Sequence, residues 1–193
     1  MGTRRIVTGH ANGKSVFVGD AEVPPVSVAL LPGTEFYPLW GADRPCTFPD
    51  DGSKPAAPSY FPPVGGFRFG LFKLAPDAVA TSPDLEFEAA LRELNEKLPG
   101  LADPLEPEHP GMHTTATIDY EYVVSGRCVL ELDDGATREL GPGDTVVQNG
   151  TRHAWRNPFR EPCVIVFALV GAHHHGLPRG AAAAGGRPLS GDG

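Results

Sequence analysis

Between residues 112 and 170 the chain divides into short apolar runs, each closed by a turn signal, and this rhythm limits the fold more than any other feature. Thr115–Ser125, Arg127–Leu132, Ala136–Leu140, Thr145–Gln148, His153–Arg156 and Cys163–Val170 read as strands. Asp133-Asp134-Gly135 and Gly141-Pro142-Gly143-Asp144 supply turns between them. Runs this short, with glycine, proline and aspartate at regular intervals, specify an antiparallel sandwich or barrel. The 24 glycines and 21 prolines of the 193-residue chain fit that reading. The apolar content is an ordinary 40%, so they mark turns and not wholesale disorder.

The upstream half is less regular. Residues 4–19 read as a hairpin around Ala11-Asn12-Gly13, where Asn-Gly supplies the positive φ of a tight turn. Val26–Leu31 reads as a short strand. Residues 32–65 are rich in proline and glycine and show no clear period; a lid, a wrapping arm or an intersubunit arm would have this character. Gly66–Leu74 alternates as a strand, with Phe67, Phe69 and Leu71 on one face and Arg68, Gly70 and Phe72 on the other. The spacing predicts one helix over 82–98, capped by Ser82, started by Pro83 and ended by Pro99-Gly100. Phe87, Leu91, Leu94 and Leu98 form its apolar stripe. The expected organisation is an N-terminal hairpin, arm and first strands over 1–79, a packed helix over 80–101, a barrel core over 102–171 and a flexible tail over 172–193.

Charge and cysteine usage narrow the function classes. Lys and Arg total 16 and Asp and Glu 24, a formal charge of −8. A net acidic chain without basic runs is a poor partner for nucleic acid or an anionic membrane and suits small molecules. Cys46, Cys128 and Cys163 contain no CxxC pair, so three reduced thiols are expected. The N-terminal stretch lacks the apolar core of a signal peptide, and no segment reaches the ~20 apolar residues of a membrane span. A cytoplasmic location follows as an expectation.

The residues that carry chemistry lie between 113 and 157. His113, Thr115 and Asp119 share strand parity, and Gly126 follows after six residues. A second cluster holds Gly143, Asp144, Gly150, His153 and Asn157. Together they resemble the two motifs of the cupin superfamily, G-x5-H-x-H-x3-E-x6-G and G-x5-P-x-G-x2-H-x3-N. His113 and Gly126 match the first, with Thr115 in place of the second His, Asp119 in place of Glu, and Pro107 in place of the leading Gly. Gly143, Gly150, His153 and Asn157 match the second, with Gln148 where proline is usual and one residue fewer after Gly143. The motifs span about a quarter of the chain and are similar to those of single-domain cupins.

The resemblance implies an all-β fold: a cupin-type double-stranded β-helix, or jelly-roll barrel, with an N-terminal β arm and one packed α-helix. Metal cupins hold a divalent ion with three His and one Glu. Here the implied set is His113, Asp119 and His153, the two-His, one-carboxylate composition of non-haem iron sites. Fe2+ or Zn2+ is expected first, with Mn2+ and Ni2+ as alternatives; a metal-free pocket is the competing reading. Thr115 could hydrogen-bond a metal-bound water. Glu121, next inward after Asp119, is either a ligand, a general base or a rim residue. Arg68, Trp155 and Gln148 are candidate substrate-binding residues, Trp155 as a wall for a flat substrate.

The implied function is a metal-dependent dioxygenase, or a lyase, decarboxylase or dehydratase, acting on a small oxygenated acid, phenol or polyketide-like metabolite. A non-catalytic small-molecule binder is the alternative. Homodimer formation is the resemblance-based expectation for assembly.

Overall fold

The computed structural model describes residues 2–79 and 81–177; the expected tail beyond 177 lies outside the described residues. Ten strands and one α-helix follow in order: β1 Thr3–Ala11, β2 Lys14–Val23, β3 Glu35–Ala42, β4 Phe67–Leu74, α1 Phe87–Lys97, β5 Thr117–Ser125, β6 Cys128–Glu131, β7 Thr137–Leu140, β8 Thr145–Asn149, β9 Ala154–Arg156 and β10 Cys163–Gly171. All strand pairs are antiparallel. Five strands form one sheet in the order β3-β4-β10-β5-β8, and three form another in the order β7-β6-β9. The two sheets make the barrel expected from the 112–170 pattern.

The crossing between the sheets positions the site. His113 pairs with His153, next to β9, through reciprocal backbone N–H···O bonds of 3.0 Å. Four residues later the same chain enters β5 in the other sheet. A strand that changes sheets carries its inward side chains from one wall of the barrel to the other. Gly126 makes the return turn possible. Its φ is +74°, and a Cβ there would lie 2.2 Å from the Pro162 carbonyl oxygen.

β1 and β2 form a separate hairpin, with the positive φ falling on Asn12 and Gly13 as expected. Elsewhere upstream the structure departs from the sequence reading. Val26–Leu31 makes one bridge, Val26 to Phe36, and then turns. The segment read as irregular from 32 contains a full strand, β3, because Pro38 and Gly41 interrupt an otherwise apolar run. The helix begins at Phe87, five residues after Ser82, and Glu86 at its N-cap makes no side-chain capping bond. Ser82 instead starts an isolated turn, accepting from Leu85 N at its carbonyl. Phe87 is 60% exposed, so the buried face runs through Ala90, Leu94 and Leu98.

Two apolar clusters bracket the interior. Val28, Phe36, Leu94 and Leu98 tie the upstream arm and α1 together over one end. Val123, Cys128, Cys163 and Ile165 fill the other, and Cys128 and Cys163 are free thiols there, as is the exposed Cys46. No helix among the described residues is long and apolar enough to cross a membrane.

Candidate active site

β5 presents Thr117, Asp119, Glu121 and Val123 inward, all buried, while Tyr120, Tyr122 and Val124 face out. Period-two alternation therefore puts two carboxylates in the interior. Across the β5–β10 pair, Asp119 lies opposite Leu169 and Glu121 opposite Phe167, so neither carboxylate has a basic partner. Both open onto a cavity of about 230 Å³ that His113, His153 and Trp155 also line. The remaining wall is chiefly apolar, with the rings of Phe36, Tyr60, Phe72 and Phe167 prominent.

The imidazoles are close: their ring centroids are 4.2 Å apart, with planes inclined at 51°. His113 Nδ1 contacts the Gly111 carbonyl at 3.1 Å, and His153 Nδ1 contacts the Thr151 carbonyl at 2.9 Å. A carbonyl oxygen only accepts, so each Nδ1 carries the proton and each Nε2 keeps a lone pair. Burial holds the His113 ring below its ordinary pKa. Burial and the neighbouring His113 push His153 down to about 4. Both rings are therefore neutral acceptors at neutral pH.

The carboxylates shift the other way. Burial raises Asp119 to about 6, opposed by a hydrogen bond from Thr117. Burial, reinforced by the charge of Asp119, raises Glu121 to about 8. Asp119 Oδ1 and Glu121 Oε2 are buried without a hydrogen-bond partner. Tyr60 faces the same pair; burial first, then Asp119 and Glu121, push its phenol well above the usual range.

The structure thus brings together His113, Asp119, Glu121, His153 and Trp155. Three expected participants sit elsewhere. Thr115 is buried beside Thr117, their hydroxyls 2.8 Å apart, and does not line the cavity. Gln148 lies opposite Asp119 on β8, where its Oε1 accepts from the Thr151 hydroxyl and its Nε2 has no partner. Arg68 lines a different cavity, and its guanidinium is spent on Asp43 and on the carbonyls of Ser59, Ala42 and Phe67.

The expected metal set is met in part. The imidazole pair suits an ion, since each ring donates through Nδ1 to a carbonyl and keeps Nε2 free. The third ligand is not in place: among the described residues no three His, Cys, Asp or Glu side chains gather around one point. The reasons are local. Thr115 stands where the family has a His, Asp119 is one methylene shorter than Glu, and the carboxylates lie on β5 while the imidazoles sit at an isolated bridge outside the sheets.

Tyr60 and Phe36 were not identifiable from spacing. Tyr60 lies in a proline-rich stretch without period, and Phe36 in the strand that Pro38 obscures. The useful signal was composition: aromatic side chains concentrated in a segment otherwise built of turn residues.

Residues 103–169 match the family model described as Cupin domain. The chain carries a cupin domain. Within it lie both motif histidines and both buried carboxylates. A stretch of 54 residues is 44% identical to the oryzines biosynthesis cluster protein J of Aspergillus oryzae, covering 26% of this chain and 30% of that one. A stretch of 46 residues is 52% identical to the phomopsin biosynthesis cluster protein D of Diaporthe leptostromiformis, covering 24% of each. The cupin-domain-containing oxidoreductase fogC of Aspergillus ruber is 33% identical over 78 residues, 40% of this chain and 35% of the relative. The chain therefore spans about a third or less of the length of these curated relatives.

Proposed function

We propose that this cupin is a small-molecule enzyme that moves protons on an oxygenated aromatic or polyketide-like compound held in the β5–β9 cavity. One observation carries the reading. Two buried carboxyl groups, each with one oxygen that has no partner among the described residues, and two imidazoles with free Nε2 atoms share one apolar, aromatic-walled cavity. Groups whose protonation is pushed in opposite directions within one site are the mark of acid–base work. His153 Nε2 accepts a proton from an acidic C–H or O–H of the ligand. Glu121, protonated at neutral pH, returns one to the oxygen on which charge develops. The aromatic walls exclude water and strengthen both contacts. Relatives named as biosynthesis-cluster proteins and as an oxidoreductase support a metabolite as the substrate.

A second reading is favoured by the two Nδ1 bonds to backbone carbonyls, which leave His113 and His153 in the tautomer that ligates metals. A divalent ion there would supply Lewis acidity or, as iron, oxygen chemistry of the dioxygenase or lyase kind. Assembly as a homodimer belongs to the proposal too, supported by Tyr120, Tyr122, Val124 and Val147 exposed on the outer faces of β5 and β8.

The test is C–H exchange. The full chain is incubated in D2O with acetophenone, a ketone uncharged at neutral pH, and deuterium uptake at the methyl carbon is followed by NMR. Exchange faster than with an equal concentration of free imidazole is expected, falling at least tenfold in Glu121→Gln and in His153→Gln. Exchange no faster than with imidazole would sink the reading. Elemental analysis of the same sample separates the two readings: stoichiometric metal, lost in His153→Gln, supports the second.

A further inference from the structure

The cavity has a distinct charge and acceptor pattern. Among the described residues its lining contains no lysine or arginine. The nearby basic side chains are engaged elsewhere: Arg152 by Glu106 and Asp133, Arg156 by Glu131 and the Pro110 carbonyl, Arg68 by Asp43. Two side chains in the lining, Asp119 and Glu121, are only 3% and 7% exposed, and each has an oxygen without a partner. A buried acceptor left unmatched is costly, so such atoms point to a ligand that donates to them. An anion entering here would be stripped of water beside two carboxyl groups with no counter-charge.

The acceptors are also spread out. The two imidazoles sit at the His113–His153 bridge, whereas the carboxyl groups project inward from the face of β5. Among the described residues they do not converge on one point. A point donor such as an ammonium group satisfies one acceptor cluster and leaves the other bare. A flat ring with hydroxyls at separate positions reaches both. The Phe36, Tyr60, Phe72, Trp155 and Phe167 side chains around it suit such a ring: Phe72 and Trp155 lie 6.1 Å apart at 65°, and Phe36 and Tyr60 6.0 Å apart at 89°.

We propose that this cavity selects an uncharged, polyhydroxylated aromatic ring and rejects carboxylates. Of the substrates the family resemblance leaves open, this removes the organic acids. The inference rests on the same cavity being the working site, but it concerns equilibrium binding and needs no turnover.

The experiment is titration calorimetry of the full chain, freed of metal with chelator, against phloroglucinol, benzoate and benzylammonium at neutral pH. Phloroglucinol is expected to bind at least tenfold more tightly than either charged ring. Asp119→Asn, which keeps the shape and removes the charge, should narrow the gap to benzoate several-fold. Glu121→Leu, which removes the unpartnered oxygen, should weaken phloroglucinol several-fold; if Asp119→Asn does not fold, judged by circular dichroism, Glu121→Leu alone carries the test. Benzoate or benzylammonium binding as tightly as phloroglucinol overturns the proposal, as does no binding by any of the three. A chain that selects phloroglucinol yet shows no C–H exchange would overturn the proton-transfer reading and leave this one standing. A chain that exchanges the ketone but prefers benzoate would do the reverse.

Discussion

β5 and β10 run through both ends of the barrel in one antiparallel register, yet the two ends are built on opposite rules. At the closed end Val123 lies opposite Ile165, 1% and 0% exposed, with Cys128 and Cys163 packed around them. Two residues along at the open end, Glu121 lies opposite Phe167, and two further on Asp119 lies opposite Leu169. The backbone is the same and only the inward side chains differ. A chain selected for stability alone would continue the closed-end pattern, because an unpaired buried carboxyl costs free energy that an apolar side chain of similar size does not. The open end gives up that stability, and such exceptions to consistent packing fall where chemistry is done.

The contrast is tested most severely at the closed end. Ile165→Ala should cost roughly 2–5 kcal/mol in urea denaturation, because it opens a void at a fully buried position that its neighbours can only partly fill. Phloroglucinol affinity of the folded variant should stay within a factor of two. A cost below about 1 kcal/mol would mean the closed end is loosely packed and the contrast false.

A smaller effect, of opposite sign, is expected at the open end. Glu121 is raised from 4.5 to about 8 in the folded chain, so the folded state holds its proton where the unfolded chain has released it. The stabilisation this provides is complete below pH 4.5 and is lost as pH rises through about 8. Asp119 adds a slope of the same sign between 3.8 and about 6. Glu121→Gln removes the larger contribution. The variant should be more stable than the parent at pH 9, with the difference shrinking toward zero at pH 4.5, as read from urea midpoints across the pH range. On the acid side His153, lowered from 6.5 to about 4, works in the opposite sense: stability falls as pH drops through that window in both proteins. A parent with flat stability from pH 5 to 9 would show that the carboxyl groups are solvated after all.

The same two ends explain what could be read from sequence. The strands of the barrel, the inward parity of Asp119 and Glu121 and the meeting of His113 with His153 were legible, because period-two alternation and motif spacing are local signals. The third metal ligand was not. Whether Asp119 joins His113 depends on how the chain crosses between sheets after residue 113, and spacing along one chain does not encode a distance across two sheets. Arg68 shows the same limit. That it shares a face of β4 with Gly70 and Phe72 was readable, but its capture by Asp43 and three carbonyls depends on the 43–66 loop folding back over it. Tyr60 reaches the site from that same aperiodic loop.

The helix that covers the open end gives the smallest and most discriminating prediction. Ser82 followed by Pro83 has the form of a helix start, and a true N-cap serine is worth about 1 kcal/mol. In the structure Ser82 Oγ accepts only from Asp84 N, at 3.3 Å, and α1 starts at Phe87 behind an uncapped Glu86. Ser82→Ala should therefore change stability by less than about 0.5 kcal/mol. Glu86→Ser, which places a hydroxyl at the real N-cap, should stabilise by several tenths of a kcal/mol in the same urea assay. Because Leu94 and Leu98 pack with Phe36, which lines the cavity, tightening α1 also tightens one wall of the site. Glu86→Ser should then leave the closed end untouched and slow ligand release in stopped-flow measurements. A large loss in Ser82→Ala would move the helix start back to 82 and enlarge the cover over the open end by more than one turn.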